Sequence, residues 1–161
     1  MSKRPTFFFS FKKSHLNIEM SYLYNEKDYK KIVLNTADAI ASDTFRNYSF
    51  TKFNTISIKK PSYLKIDAVT TNFNNDDVWT IKIDKINYNK ASYYNSDLNG
   101  LPTILTKSFN GKSTTILDNV ALELTPQNIN EIVLRITKED GSGLGSGKMI
   151  LDISIEEKEI N

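Results

Sequence analysis

Apolar residues recur at every second position through most of this chain. Leu16, Ile18, Met20, Tyr22 and Tyr24 alternate with Asn17, Glu19, Ser21 and Leu23. Successive side chains on a strand point to opposite faces, so this pattern marks a half-buried strand. An aromatic stretch over Tyr48–Phe53 leads to Ile56 and Ile58. The same alternation returns at Leu64, Ile66, Ala68, at Trp79, Ile81, Ile83, and at Val120, Leu122, Leu124. It closes the chain at Ile132, Leu134, Ile136 and at Met149, Leu151, Ile153, Ile155. Within each set the first-named residues are expected to face inward, Trp79 among them.

Turn chemistry separates these segments. Lys60-Pro61-Ser62 interrupts the ladder, because proline has no N–H to offer. Asn74-Asn75-Asp76-Asp77 is a cluster of short polar side chains that bond their own backbone. Asn110-Gly111 readily adopts positive φ and predicts a hairpin between Phe109 and the Thr114–Leu117 stretch. Thr125-Pro126-Gln127-Asn128 closes another strand, and the Gly/Ser run Gly141–Gly147 is expected to be a flexible hairpin connection. Short strands at this spacing predict an all-β antiparallel sandwich, jelly-roll-like in architecture.

One segment has a different period. Tyr29, Val33, Ala37 and Ile40 are spaced by three or four, and Asn25 stands where an N-cap would, with Asp28 in the first turn. A short helix near residues 26–42 is therefore expected, although Lys31–Leu34 also fits a strand. Residues 87–108, with Tyr88, Tyr93 and Tyr94 among Asn and Ser, read as a long loop or a pair of short edge strands.

Composition narrows the function more than it names one. The 161 residues suit one domain, and 39% hydrophobic and 11% aromatic content is enough for a core. The net charge of +2 provides no polycation to hold nucleic acid, which makes that partner unlikely. No cysteine is present, so disulfides, thiolate metal sites and a cysteine nucleophile are excluded. One histidine, His15, leaves no multi-histidine metal cluster and no triad partner in any local motif. No cofactor is expected. The start lacks the apolar core of a secretory signal and no run is long enough to span a bilayer, so a soluble product is expected. Lys outnumbers Arg by 18 to 3, a bias that marks an AT-rich genome.

The candidate chemistry is thin. The run ending Gly147-Lys148 lacks the P-loop pattern, because Ser142 stands where a glycine is required and Met149 follows the lysine. Asn72, Asn74 and Asp76 alternate as calcium ligands do, but without the glycine and the bidentate Glu. Asp76, Asp77 and Asp84 are the best candidates for paired carboxylates, and a polar turn is the plainer reading. Tyr63, Trp79, Tyr88, Tyr93 and Tyr94 would make a sugar-stacking platform if exposed, or core and edge packing if not.

The unusual segment is the start. Lys3, Arg4, Phe7, Phe8, Phe9, Phe11, Lys12 and Lys13 combine four rings within five positions with four basic residues. Residues 1–13 read as a basic-aromatic arm that grips a neighbouring subunit, or as a first strand buried on both faces. Residues 14–161 then form a single sandwich domain. The arm and the loop residues Tyr93 and Tyr94 are the candidate partner-binding positions. The basic start and the acidic Glu156-Glu157-Lys158-Glu159 end would suit head-to-tail packing.

Three stretches carry a family likeness: Ser62-Tyr63-Leu64-Lys65-Ile66-Asp67, Trp79-Thr80-Ile81-Lys82-Ile83, and Tyr93-Tyr94-Asn95 to Leu101-Pro102-Thr103-Ile104. There the chain resembles small β-rich minor capsid or penton-type structural proteins of large AT-rich DNA viruses and virophages. The resemblance implies a sandwich seated in an icosahedral shell, made in the host-cell cytoplasm, touching a major capsid protein or copies of itself. A homo-oligomer and a non-enzymatic role follow, and no site residues carry over. The alternative is a carbohydrate-binding or receptor-binding module at a fibre or tail tip.

Overall fold

The computed structural model describes residues 29–42, 44–73, 76–90 and 100–159. The strands are β1 (Tyr29–Asn35), β2 (Ile40–Ala41), β3 (Asn47–Phe50), β4 (Ile56–Ile58), β5 (Ser62–Asn72) and β6 (Asp77–Asp84). They continue with β7 (Thr103–Phe109), β8 (Lys112–Leu124), β9 (Gln127–Ile129), β10 (Ile132–Lys138) and β11 (Lys148–Glu157). One sheet has the order β1-β11-β5-β8, the second β2-β3-β10-β6-β7, and β4 pairs with β9 as a small ribbon. All pairings are antiparallel.

Set aside β2, β4 and β9, and number the remaining eight strands along the chain. The first sheet then holds strands one, eight, three and six, and the second holds two, seven, four and five. That interleaving is the jelly-roll order, two Greek keys folded face to face. The fold expected from the alternating pattern is the fold observed.

The core is the inward half of that alternation. Trp79, Ile81 and Ile83 of β6, Ile132, Leu134 and Ile136 of β10, and Met149, Leu151, Ile153 and Ile155 of β11 are all buried. On β5 the phase slips. Leu64 and Ile66 are buried against the opposite sheet, and register shifts lie just beyond them on both neighbouring strands. Beyond the slip Val69, opposite Leu151, is fully buried, and Ala68, which the simple alternation put inward, is buried beside it. Ala68 stands between Asp152 and Ile116. An extra residue in one strand reverses every later side chain, so a fixed period of two cannot be read through it.

The helix expected near residues 26–42 is not formed; no α-helix occurs among the described residues. Residues 29–35 pair with β11 from Tyr29 opposite Glu156 to Asn35 opposite Ile150. The set that suggested a helix, Tyr29, Val33, Ala37 and Ile40, is exposed throughout. Leu34 is buried and Ile32 packs on the core, so the period of two won by completing a ladder. A 3-10 turn, Thr36–Asp38, follows, and its cap is Asn35, whose side chain accepts the Ala37 amide at 3.0 Å.

Two connections expected as hairpins also differ. Asn110-Gly111 joins β7 to β8, and the Gly/Ser run joins β10 to β11. In each case the flanking strands belong to different sheets, so both connections cross the sandwich. Part of the irregular region 87–108 forms β7, a single strand on the edge of the five-stranded sheet.

Candidate functional site

Jelly-roll topology gathers four crossings at one end of the sandwich: those from β1 to β3, β5 to β6, β7 to β8 and β10 to β11. A cleft of about 290 Å³ opens among them. Its walls include Asn72, Asp77, Lys112, Lys138 and Ser146, over a floor of Phe73 and Trp79. The two rings stack with centroids 4.9 Å apart and planes 28° apart. Lys138 Nζ lies 5.4 Å from the Trp79 ring centroid and 2.8 Å from Asp77 Oδ2. The cation is thus neutralised by a carboxylate and shares the indole quadrupole. Trp79 is only 2% exposed, and its Nε1–H is buried with no acceptor among the described residues.

The Gly/Ser run is packed against its neighbours. Leu144 is buried and its amide donates to the Phe45 carbonyl at 3.0 Å. Lys138 N–H donates to the Ser142 carbonyl, and the Gly141 and Gly147 amides donate to the Lys138 and Leu144 carbonyls. Asp140 accepts from both the amide and the hydroxyl of Ser142, at 2.8 and 2.6 Å. Those bonds hold its carboxyl below the usual carboxylate range. A Cβ on Gly147 would sit 2.9 Å from the Phe73 ring, so this glycine lets the chain close over the floor. Gly143 and Gly147 answer to packing, and Gly141 and Gly145 to their positive φ.

The three acids singled out from the sequence do not converge. Asp76 is exposed in the crossing before β6, Asp77 is committed to Lys138, and Asp84 accepts the Lys85 amide at 2.7 Å. Asp77 and Asp84 stand at opposite ends of β6, about 23 Å apart at 3.3 Å per residue. No group of three or more His, Cys, Asp or Glu able to hold a metal occurs among the described residues. No helix among them is long and apolar enough to cross a membrane.

The aromatic candidates divide. Trp79 is inward as expected, and Tyr48 is buried, donating its hydroxyl to the Phe45 carbonyl at 2.9 Å. Tyr63 is half-buried beneath Lys158, whose Nζ is 5.6 Å from the ring centroid. Tyr88 is half-buried and bridges to Leu124. The arm residues Lys3, Arg4, Phe7, Phe8, Phe9, Phe11, Lys12 and Lys13, the Leu16–Tyr24 strand, His15, and Tyr93 and Tyr94 lie outside the described residues.

The acidic end is occupied within its own chain. Glu156 meets Lys65 at 2.8 Å, Glu157 meets Lys60 at 2.6 Å, and Lys158 meets Glu123 at 3.0 Å. Glu156 raises Lys65 above the ordinary lysine range, and Glu123 does the same for Lys158. Head-to-tail packing therefore has less free acid to draw on than the sequence implied.

What the sequence did not single out is the outer side of the four-stranded sheet. Ile116 is 75% exposed and Val120 55% exposed on β8, with Val33 and Tyr29 exposed on β1 at the far edge. The alternation had placed Val120 inward with Leu122 and Leu124. Asp118 between them adopts φ +54, and shifts in the β5–β8 register turn Val120 outward, opposite Lys65. The adjacent pair Asp118-Asn119 inside a strand is the signal that would have marked the break.

No family model matches the chain, and no curated protein matches it. Solved structures align with the chain at low identity. The Drosophila NLP core has a TM-score of 0.39 at 9% identity, covering 81% of this chain and all of the other. The CBM36-1 domain of a multidomain xylanase from the hindgut metagenome of Trinervitermes trinervoides scores 0.43 at 12% identity, over 81% of this chain and all of that domain. The extra small virus particle of the prawn Macrobrachium rosenbergii scores 0.31 at 9% identity, over 84% and 82% of the two chains. These likenesses concern architecture, and no ligand or activity comes with them.

Proposed function

We propose that this chain is a non-enzymatic structural protein of a virion, a minor capsid or capsid-associated subunit. Its partners are other capsid subunits, the major capsid protein or copies of itself. The observation that carries the reading is the division of its side chains. Of the rings named as a sugar platform, Trp79 is buried and Tyr63 and Tyr88 are half-buried, while Tyr29, Val33, Ile116 and Val120 lie exposed on the two edge strands of one sheet. Apolar side chains exposed on both edge strands of a sheet suit contact with another protein, and a ring closed off in the core, as Trp79 is, is not open to a glycan. In the cleft, Lys138 is already paired with Asp77.

The test is absolute mass by light scattering over a range of concentrations, with and without residues 1–13. Mass rising above the 18.4 kDa of one chain supports the reading. A monomer at every concentration in both forms, with a mass-spectrometric inventory of purified particles that lacks the polypeptide, overturns it. A glycan array that lights up on the intact chain would favour the carbohydrate-binding alternative.

A further inference from the structure

Strand β8 is the outermost strand of its sheet and, at 13 residues, the longest in the molecule among the described residues. Its C-terminal end is covered, since Tyr88 bridges to Leu124 and the Asn89 amide donates to the Glu123 carbonyl. Among the described residues no strand pairs with the outer edge of Lys112–Ile116. The Phe73 amide donates to the Gly111 carbonyl at the top of the β5–β8 pair. Antiparallel pairs alternate between bonded and non-bonded, so Ser113 and Thr115 turn their main-chain groups toward β5. Lys112, Thr114 and Ile116 then turn theirs outward.

We propose that this edge pairs with the same edge of a second copy, antiparallel, about a two-fold axis through Thr115. The proposal rests on the assembly reading above and names its contact. The outward groups of Thr114 meet those of Ile116 in the partner strand, and Lys112 stands opposite Asp118. Symmetry makes that opposite-charge pair twice. Both side chains are exposed, and Asp118 also lies close enough to Lys65 to act on its charge. A slip of one bonded step either way sets Lys112 against Ile116 or Val120 and loses both pairs. The left-handed turn at Asp118 ends regular pairing where the charged pair sits.

The full chain tests this in two ways. Lys112→Asp and Asp118→Lys each bring two like-charged pairs together, and the double variant restores attraction. Each single is expected to weaken self-association roughly tenfold or more, from two cross-strand pairs changing sign, with recovery in the double. Thermal melts of the singles report whether they are folded, and both sites are on the surface. Second, the chain has no cysteine, so Thr115→Cys introduces its only thiol. Opposed non-bonded residues stand about 4.5 Å apart at Cα, within disulfide reach. Mild oxidation is expected to double the mass on a non-reducing gel, while Thr106→Cys on the β7 edge stays single. If the wild type associates but neither charge swap nor crosslink responds, or both cysteines crosslink alike, the edge assignment falls and the assembly reading stands. If the wild type stays at one chain throughout, both fall.

Discussion

Gly143→Ala separates crowding from backbone strain. Gly143 is not one of the positive-φ glycines, so its own φ admits alanine. The space does not: a Cβ would lie 2.1 Å from the Phe45 carbonyl oxygen, 2.5 Å from its carbon and 2.8 Å from the Thr44 oxygen. All three are main-chain atoms, so the loop must lift from the 44–46 turn. Lifting breaks the 3.0 Å bond from Leu144 N–H to Phe45 O, worth about 1 kcal/mol net. It also exposes Leu144, now 7% exposed, at about 1.5–3 kcal/mol. The sum is about 3 kcal/mol, or about 6–12 °C in melting temperature for a chain of this length. Gly145→Ala is the control. It has φ +57 but open space around it, so it pays only the left-handed strain, about 1 kcal/mol. Urea unfolding of both variants reads the difference. A Gly143→Ala protein within about 0.5 kcal/mol of wild type, or one no weaker than Gly145→Ala, would refute the reasoning.

Two further outcomes follow from single hydrogen bonds. Thr36 is buried, and its hydroxyl accepts the Met149 amide at 3.0 Å. Thr36→Val keeps the shape and strands that amide, at an expected cost of about 1–3 kcal/mol by urea unfolding, while Thr36→Ser keeps the bond and loses less. At high pH, Tyr48 is raised by burial, and Lys65 and Lys158 by Glu156 and Glu123. A raised folded pKa means that the added stability is complete below the unfolded values, 10.0 for the phenol and 10.5 for lysine, and is lost as pH rises through the folded values. Stability should therefore fall above pH 10 in a denaturant titration, and Tyr48→Phe should flatten that fall while costing about 1 kcal/mol at neutral pH through the lost bond to Phe45. An unchanged alkaline slope in Tyr48→Phe would contradict it.

Where one period runs unbroken, the sequence names the core: Trp79, Ile81 and Ile83, Ile132, Leu134 and Ile136, and Met149, Leu151, Ile153 and Ile155 are all buried where alternation puts them. It fails where the period changes inside a strand. Past Ile66, Val69 is buried beside Ala68, where alternation expected only Ala68, and Val120 points out where alternation put it in. A bulge is set by the two strands on either side, and neither is visible from local order. The helix expectation fell for a related reason. Tyr29 and Val33 have helical spacing, but β11 offers a seven-residue partner that only the folded chain brings near. The Asn110-Gly111 dipeptide marked a turn correctly, yet a turn does not say whether its strands share a sheet. The candidate surface was hidden most deeply, since an exposed edge depends on strand order.

The four outer edges of the two sheets are not treated alike, and the contrast bears on β8. The edge at β2 is only two residues long. The β7 edge spans seven residues and the β1 edge seven, with lysines at 107, 30 and 31. Short length and lysine are the usual means of keeping an edge from recruiting a stranger. β8 runs for 13 residues, and its open stretch reads Ser113, Thr114, Thr115, Ile116, three of them β-branched, which favours strand pairing. Such an edge is an aggregation hazard unless its pairing is bounded. Lys112 at one end and the left-handed Asp118 at the other supply the bounds, one by charge and one by geometry. In the proposed pairing, together they turn a strand that would accept many neighbours into one that accepts its own image in a single register.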